Sequence, residues 1–204
     1  MKMPIAIAVL LSACSTDLLE FDYQVVTVPI AIGIVFADGT SGQLCGPTAC
    51  VVPAASRYTL EERAEIVARV AGWYAPFGIP VAEGHHALRV LITATLAPEV
   101  GFAANIGGIA PFKCQPQIEG QATAFGDIDI ASTAYTVAQE SAHILGLAHV
   151  SNVNDLMFPT LPNPGEETSG FIDEDSPTMA PNCERKTQNS AAMLRAVVAS
   201  AGIQ

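Results

Sequence analysis

The sequence predicts an α+β domain, and three stretches carry that reading. Ile30, Ile32, Ile34 and Phe36 alternate with other residues in a β-branched run ending at Asp38-Gly39, the pattern of a strand entering a turn. Thr59-Leu60-Glu61-Glu62 has capping-box spacing, so a helix starts there. Ile66, Val70, Trp73, Tyr74 and Phe77 continue it at helical spacing until Gly78 and Pro80 stop it. Late in the chain, Gln139-Glu140-Ser141-Ala142-His143 reads as a second helix with a polar row, broken at Gly146.

The other elements fall between and after these. Residues 88–95 form a second apolar strand and 121–130 a third segment of strand type. Between them, 101–111 is rich in glycine but lacks the G-x-x-x-x-G-K-[ST] pattern of a phosphate cradle, so it reads as a surface loop. Ser132 is placed to cap the late helix, whose buried side is expected to be Ala134, Val137, Ala138, Ala142 and Leu145. A last helix is expected over 189–201, and no internal repeat interrupts the order.

At 204 residues the chain suits one domain with a substantial core. Half its residues are hydrophobic and only 14% are charged, which excludes a disordered chain. The formal charge of -11 excludes nucleic acid as a partner, because phosphate binding needs Lys and Arg clusters that are missing here. A monomer is expected.

Residues 1–13 place one lysine before a short apolar run, the layout of an export signal and too short for a permanent membrane span. Leu11-Ser12-Ala13-Cys14 resembles the bacterial lipobox. That resemblance implies that Cys14 is lipidated, becomes the mature N-terminus and anchors the protein in a membrane, with 14–24 as tether and 25–204 as the folded domain. Ser15 is not the aspartate that retains lipoproteins in the inner membrane, which favours the outer membrane in a diderm cell. An ordinary cleaved signal, giving a secreted protein, is the alternative.

Without Cys14, four cysteines remain in a chain bound for an oxidising compartment, so two disulfides are expected. Three pairings are possible. The preferred one joins Cys45 to Cys50 in a small loop and Cys114 to Cys183. No C-x-x-C pair is present, which disfavours a structural zinc.

The chemistry gathers in 139–159. Positions four apart on a helix lie one above the other, so Gln139 and His143 can point at one atom while Glu140 sits one step round. Gly146 can adopt the left-handed conformation that ends a helix and returns the chain, bringing His149 back toward the same point. This resembles the metzincin signature H-E-x-x-H-x-x-G-x-x-H with its Met-turn, matched at Glu140, His143, Gly146, His149 and Met157. The chain departs from the signature at its first position, where Gln139 replaces histidine.

The resemblance implies a metzincin-like (zincin) fold: a twisted, mostly parallel sheet with a long backing helix, an active-site helix and a small C-terminal subdomain ending in a helix. It also implies one zinc ion on His143, His149 and Gln139, with Glu140 as general base, Met157 as an apolar floor and a peptide or protein substrate. The strand just before the site helix, within 121–130, would be the sheet edge lining the cleft and holding an extended peptide. An amide oxygen is a poorer zinc donor than an imidazole, so Gln139 divides the functional expectation. One branch is an attenuated metallopeptidase. The other is an inactive pseudopeptidase whose cleft binds peptide or protein.

Other polar features have plainer readings. His85 and His86 precede a strand and are expected to be solvated. Glu166, Glu167, Asp173, Glu174 and Asp175 form an acidic loop of calcium-type ligands without EF-hand spacing, so a solvated loop is expected there rather than Ca2+. Asp127 and Asp129 would share one face of a strand. Leu44-Cys45-Gly46-Pro47 is faintly similar to the cysteine switch of matrixin propeptides, without the rest of that motif.

Overall fold

The computed structural model describes residues 30–161, 170–180 and 182–201. The signal segment, Cys14, the tether, Glu166 and Glu167 lie outside the described residues. In chain order the elements are β1 (Ile32–Phe36), β2 (Leu44–Cys45), β3 (Cys50–Val51), α1 (Leu60–Tyr74), β4 (Val81–Glu83) and β5 (Leu88–Thr93), then β6 (Gly108–Ile109), β7 (Gly120–Phe125), α2 (Ile130–Ile144), β8 (Ser176–Pro177), β9 (Thr187–Gln188) and α3 (Ser190–Ser200).

Five strands form the main sheet in the order β4-β1-β5-β7-β6. β4, β1, β5 and β7 are mutually parallel, and β6 closes one edge antiparallel to β7. The parallel strands are apolar because the helices that connect them cover the sheet. Ile32, Ile34, Leu88, Val90 and Ile92 are all fully buried, each contributing roughly 1.5–3 kcal/mol of hydrophobic stabilisation.

α1 starts with the expected capping box. The Glu62 amide donates to Thr59 Oγ1 (3.2 Å) and the Thr59 amide donates to Glu62 Oε2 (2.8 Å). The helix ends at Tyr74, a 3-10 turn follows over Ala75–Phe77, and Gly78 closes it in the left-handed conformation at φ +69°. α1 packs against α2 through Ile66, Val70 and Tyr74. Tyr74 Oη donates to the Ala138 carbonyl (2.8 Å) and lies 2.9 Å from Ser141 Oγ.

α2 is buried on all sides from Thr133 to Ile144, so it is the central helix and not a surface one with a single apolar stripe. Its cap is Asp129, whose carboxylate accepts from the Ser132 amide (2.9 Å), and not Ser132 itself. Asp127 and Asp129 do not share a strand face, because β7 ends at Phe125. Asp127 instead accepts from the Arg57 amide (2.7 Å) and Ser56 Oγ (3.2 Å), pinning the approach to α1.

The sheet edge does not lie on the strand before the site helix. β7, the strand before the site helix, is interior, paired with β5 on one side and β6 on the other. The edge is β6, inside the glycine-rich stretch that reads as a loop from sequence, because two residues are too few to show alternation.

Cys45–Cys50 and Cys114–Cys183 are both bridged, which also removes Cys45 as a free thiol. The first bridge closes the β2–β3 hairpin. The second ties the β6–β7 loop to the C-terminal segment. Leu194, Val197 and Val198 of α3 join the same apolar cluster as the sheet and α1, so α3 packs back onto both. No helix among the described residues is long and apolar enough to cross a membrane.

Candidate metal centre

α2 stops where the sequence breaks it. The Gly146 amide donates to the His143 carbonyl (3.0 Å) and the Leu147 amide to that of Ala142 (3.0 Å). Gly146 is required twice over. Its φ is +86°, and a Cβ there would lie 2.9 Å from the backbone of Gln115 and Pro116. The returning arm is held by side chains from β9 and its approach. Gln188 accepts from the Ala148 amide (2.8 Å) and donates to the Ala148 carbonyl (2.9 Å), and Arg185 Nη2 donates to the Gly146 carbonyl (2.8 Å).

The arm delivers His149 to His143, with the two Nε2 atoms 3.0 Å apart and the rings crossing at 72°. His143 Nδ1 lies 2.7 Å from the Leu147 carbonyl and must be the protonated nitrogen, so Nε2 presents its lone pair toward His149. Phe112 of the β6–β7 loop packs edge-on against the His143 ring at 5.7 Å. Burial and the neighbouring His149 push His143 down to about 4, and burial also lowers His149. Both rings are therefore neutral at pH 7, as metal ligands must be.

Glu140 lies beside them, 6% exposed and without a hydrogen bond to any described residue. Desolvation raises its carboxyl to about 8. β6 passes directly over it. A Cβ on Gly108 would meet Glu140 Cγ at 2.6 Å and Thr136 Cγ2 at 2.7 Å, so only glycine lets the edge strand come this close. The space between β6 and α2 is a cleft of about 610 Å3 lined by Gln139, Glu140 and His149, by Gly107 and Gly108, and by Pro159 to Leu161.

Gln139 does more than the sequence reading allots to it. Its Nε2 donates to the carbonyls of Leu156 (3.1 Å) and Phe158 (2.7 Å), which flank Met157, and Tyr135 Oη donates to the same Phe158 carbonyl (2.7 Å). The amide thus fastens the Met-turn to the site helix. With the nitrogen committed to two carbonyls, the oxygen is the donor left for the cleft. Met157 is fully buried in the core, and its amide donates to Asp155 Oδ1 (2.8 Å).

These residues fit a divalent cation, though with a weak third donor. Two nitrogens on one zinc at tetrahedral angles lie roughly 3.3 Å apart, close to the observed separation. A desolvated carboxyl without a counter-charge and two converging ring nitrogens have the electrostatics of a cation site. Among the described residues no three His, Cys, Asp or Glu side chains cluster in a metal-type group.

No family model and no curated protein matches the chain. Among solved structures it is similar to the archaemetzincin of Methanopyrus kandleri, with 14% identity, 66% of this chain and 82% of that chain covered, and a TM-score of 0.41. So distant a likeness carries no functional weight, and the reading of the site rests on its own residues.

The structure brings together Gln139, Glu140, His143 and His149, with Met157 behind them. It leaves His85 and His86 exposed on the β4–β5 turn, with no hydrogen bond to the site. Sequence reasoning missed Gly108, Gln188 and Arg185. For Gly108 the signal existed: a Gly-Gly pair beside a β-branched residue marks a close backbone approach. Gln188 and Arg185 lie near short irregular segments and carry no periodic signal.

Proposed function

We propose that the chain is a metzincin-like zinc metallopeptidase that hydrolyses peptide bonds with Glu140 as general base. The observation that carries this reading is the convergence of His143 and His149 at 3.0 Å beside a buried glutamate without a hydrogen bond to any described residue, on the wall of an open cleft. His143, His149 and the Gln139 oxygen would hold the ion, which when bound supplies Lewis-acid polarisation of water and of a peptide carbonyl.

The chain's own groups do the rest. The β6 edge offers backbone groups to an extended substrate along the cleft. Glu140 takes the proton of the attacking water and returns it to the leaving amine, a role that needs a bound cation to bring down the carboxyl that burial alone raises to about 8. Beside a cation it titrates lower than in the metal-free chain. The Leu147 carbonyl holds the His143 tautomer.

The place of action we propose is outside the cytoplasm, anchored through a lipid on Cys14 or secreted. The N-terminal export pattern and the two disulfides support it.

The test is cleavage of unfolded casein by the purified chain with zinc supplied. Glu140→Ala should lower the rate by about 10²–10⁴. An unchanged rate would remove Glu140 from the chemistry. A second reading, a pseudopeptidase that binds peptide without cutting it, is favoured by the commitment of Gln139 to the Met-turn carbonyls. It is the correct one if the wild type is inert while Gln139→His takes up zinc and cleaves.

A further inference from the structure

His149 lines two cavities. One is the main cleft, and the other is a smaller pocket of about 290 Å3 on its far flank, bounded by Phe112, Lys113, Ala148, Met179 and Asn182. The two differ in charge. Glu140 is the one acidic residue among the described residues lining the main cleft, whose other walls include Leu96, Ile106, Phe125 and Ile128. Lys113 is the one charged residue lining the smaller pocket.

Among the described cations, Arg89, Arg185 and Lys186 meet amide or backbone oxygens instead of carboxylates, and Lys113 shares with them the lack of an ion-pair partner. Arg57, Arg63, Arg69 and Arg195 each pair with a carboxylate, whereas no described carboxylate lies within ion-pair distance of Lys113. Its loop is also firmly held. Cys114 next to it is bridged to Cys183, and the Gln117 amide donates to the Ile144 carbonyl (2.9 Å) at the end of α2. Arg185 and Lys186 follow the other half of that bridge with Glu184 between, and Arg185 is turned to the Gly146 carbonyl, so Lys113 is the cation that faces the pocket. Phe112 and Met179, exposed at 38% and 55%, give the pocket apolar flanks that weaken solvent screening of the ammonium.

Resting on the peptidase reading, we propose that this pocket binds a carboxylate of the substrate through Lys113, while the main cleft takes an uncharged, mainly apolar stretch of the same peptide. The carboxylate is either the peptide's C-terminus or an Asp or Glu side chain. Such a substrate is amphiphilic, with its negative charge on one side of His149 and its apolar residues on the other.

The probe is a fluorescein-labelled apolar hexapeptide in three forms: free acid at the C-terminus, amide, and amide with one Glu replacing Gln at successive positions. Binding is measured by fluorescence anisotropy to the full chain carrying Glu140→Ala, and cleavage is followed separately with the wild type. The carboxylate forms should bind roughly five- to tenfold more tightly than the plain amide at low salt, and the advantage should shrink as ionic strength rises.

Lys113→Met should abolish the preference and Lys113→Glu should reverse it. Arg69→Met, which removes an exposed cation from α1, should leave it intact and so exclude a net-charge effect. Whether the free acid or the internal Glu series carries the preference identifies the source of the carboxylate. A preference surviving Lys113→Met, or no preference at all, overturns the proposal. Carboxylate-selective binding without cleavage leaves the pocket standing and removes the peptidase reading. Cleavage without selectivity does the opposite.

Discussion

The two halves of the molecule are held together by different forces. In residues 30–95, β1, β5 and α1 bury Ile, Leu, Val and Tyr side chains against one another, and stability comes from apolar area. In the described residues of 145–201, apart from α3, the strands are two residues long and the backbone is fastened by polar side chains: buried Gln188 on both sides of Ala148, half-buried Arg185 on Gly146 and buried Asp155 on Met157. The candidate metal centre straddles this seam. Glu140 and His143 belong to a helix fixed by packing, while His149 and Met157 belong to an arm fixed by a few directional bonds.

The comparison teaches that the two histidines should be separable. Damage to the packed half should unfold everything, whereas damage to the stitched half should displace His149 and spare the sheet. The largest effect is expected from Ile92→Ala, a deletion in the middle of β5, which should cost about 2–5 kcal/mol in urea unfolding and lower far- and near-UV signals together. Loss of less than about 1 kcal/mol would mean the sheet is not the stable half.

Removing the Cys114–Cys183 bridge by Cys114→Ser with Cys183→Ser should come next, at about 2–4 kcal/mol. The bridge spans 69 residues, against 5 for Cys45–Cys50, whose removal should cost less. Equal effects would contradict a chain-entropy origin.

Gln188→Leu leaves the amide and carbonyl of Ala148 buried without partners and should cost about 1–3 kcal/mol. Amide exchange should speed up in 146–151 but not in β5. Uniform acceleration would merge the two regions into one cooperative unit.

The smallest effect is a pH dependence in metal-free protein. Folding raises Glu140 from an ordinary 4.5 to about 8, so between these values the unfolded chain is ionised while the folded chain keeps its proton. The folded state therefore loses stability as pH rises from about 4.5, and the loss is complete above about 8. Glu140→Gln removes it. The variant should match wild type at pH 4 and exceed it at pH 8.5 by on the order of 2 kcal/mol in EDTA. Equal stabilities at both pH values would show that the carboxyl is hydrated.

Much of the packed half was legible because packing leaves a periodic trace. The alternation of Ile32, Ile34 and Phe36 gives β1, and Thr59 with Glu62 gives the start of α1. The break at Gly146 was legible too, since a left-handed turn demands glycine, and the spacing of Glu140, His143 and His149 pointed to the site. The stitched half left no such trace. A two-residue edge strand such as β6 has no period, and nothing local in Gln188 or Arg185 announces a bond to a backbone about 40 residues away. Gln139 was legible as a departure from the metzincin pattern, but its bonds to Leu156 and Phe158 depend on a turn that only the folded chain supplies.

The proposed function requires that His143 and His149 hold a divalent cation between them. The most direct measurement is the zinc content of the purified full chain, by atomic emission, after dialysis against a zinc-buffered solution. The account predicts about one zinc per chain in the wild type, retention in Glu140→Gln, tighter retention in Gln139→His and loss in His149→Ala. A wild type that holds no zinc and does not gain it in Gln139→His, or a zinc content indifferent to His149→Ala, would contradict it.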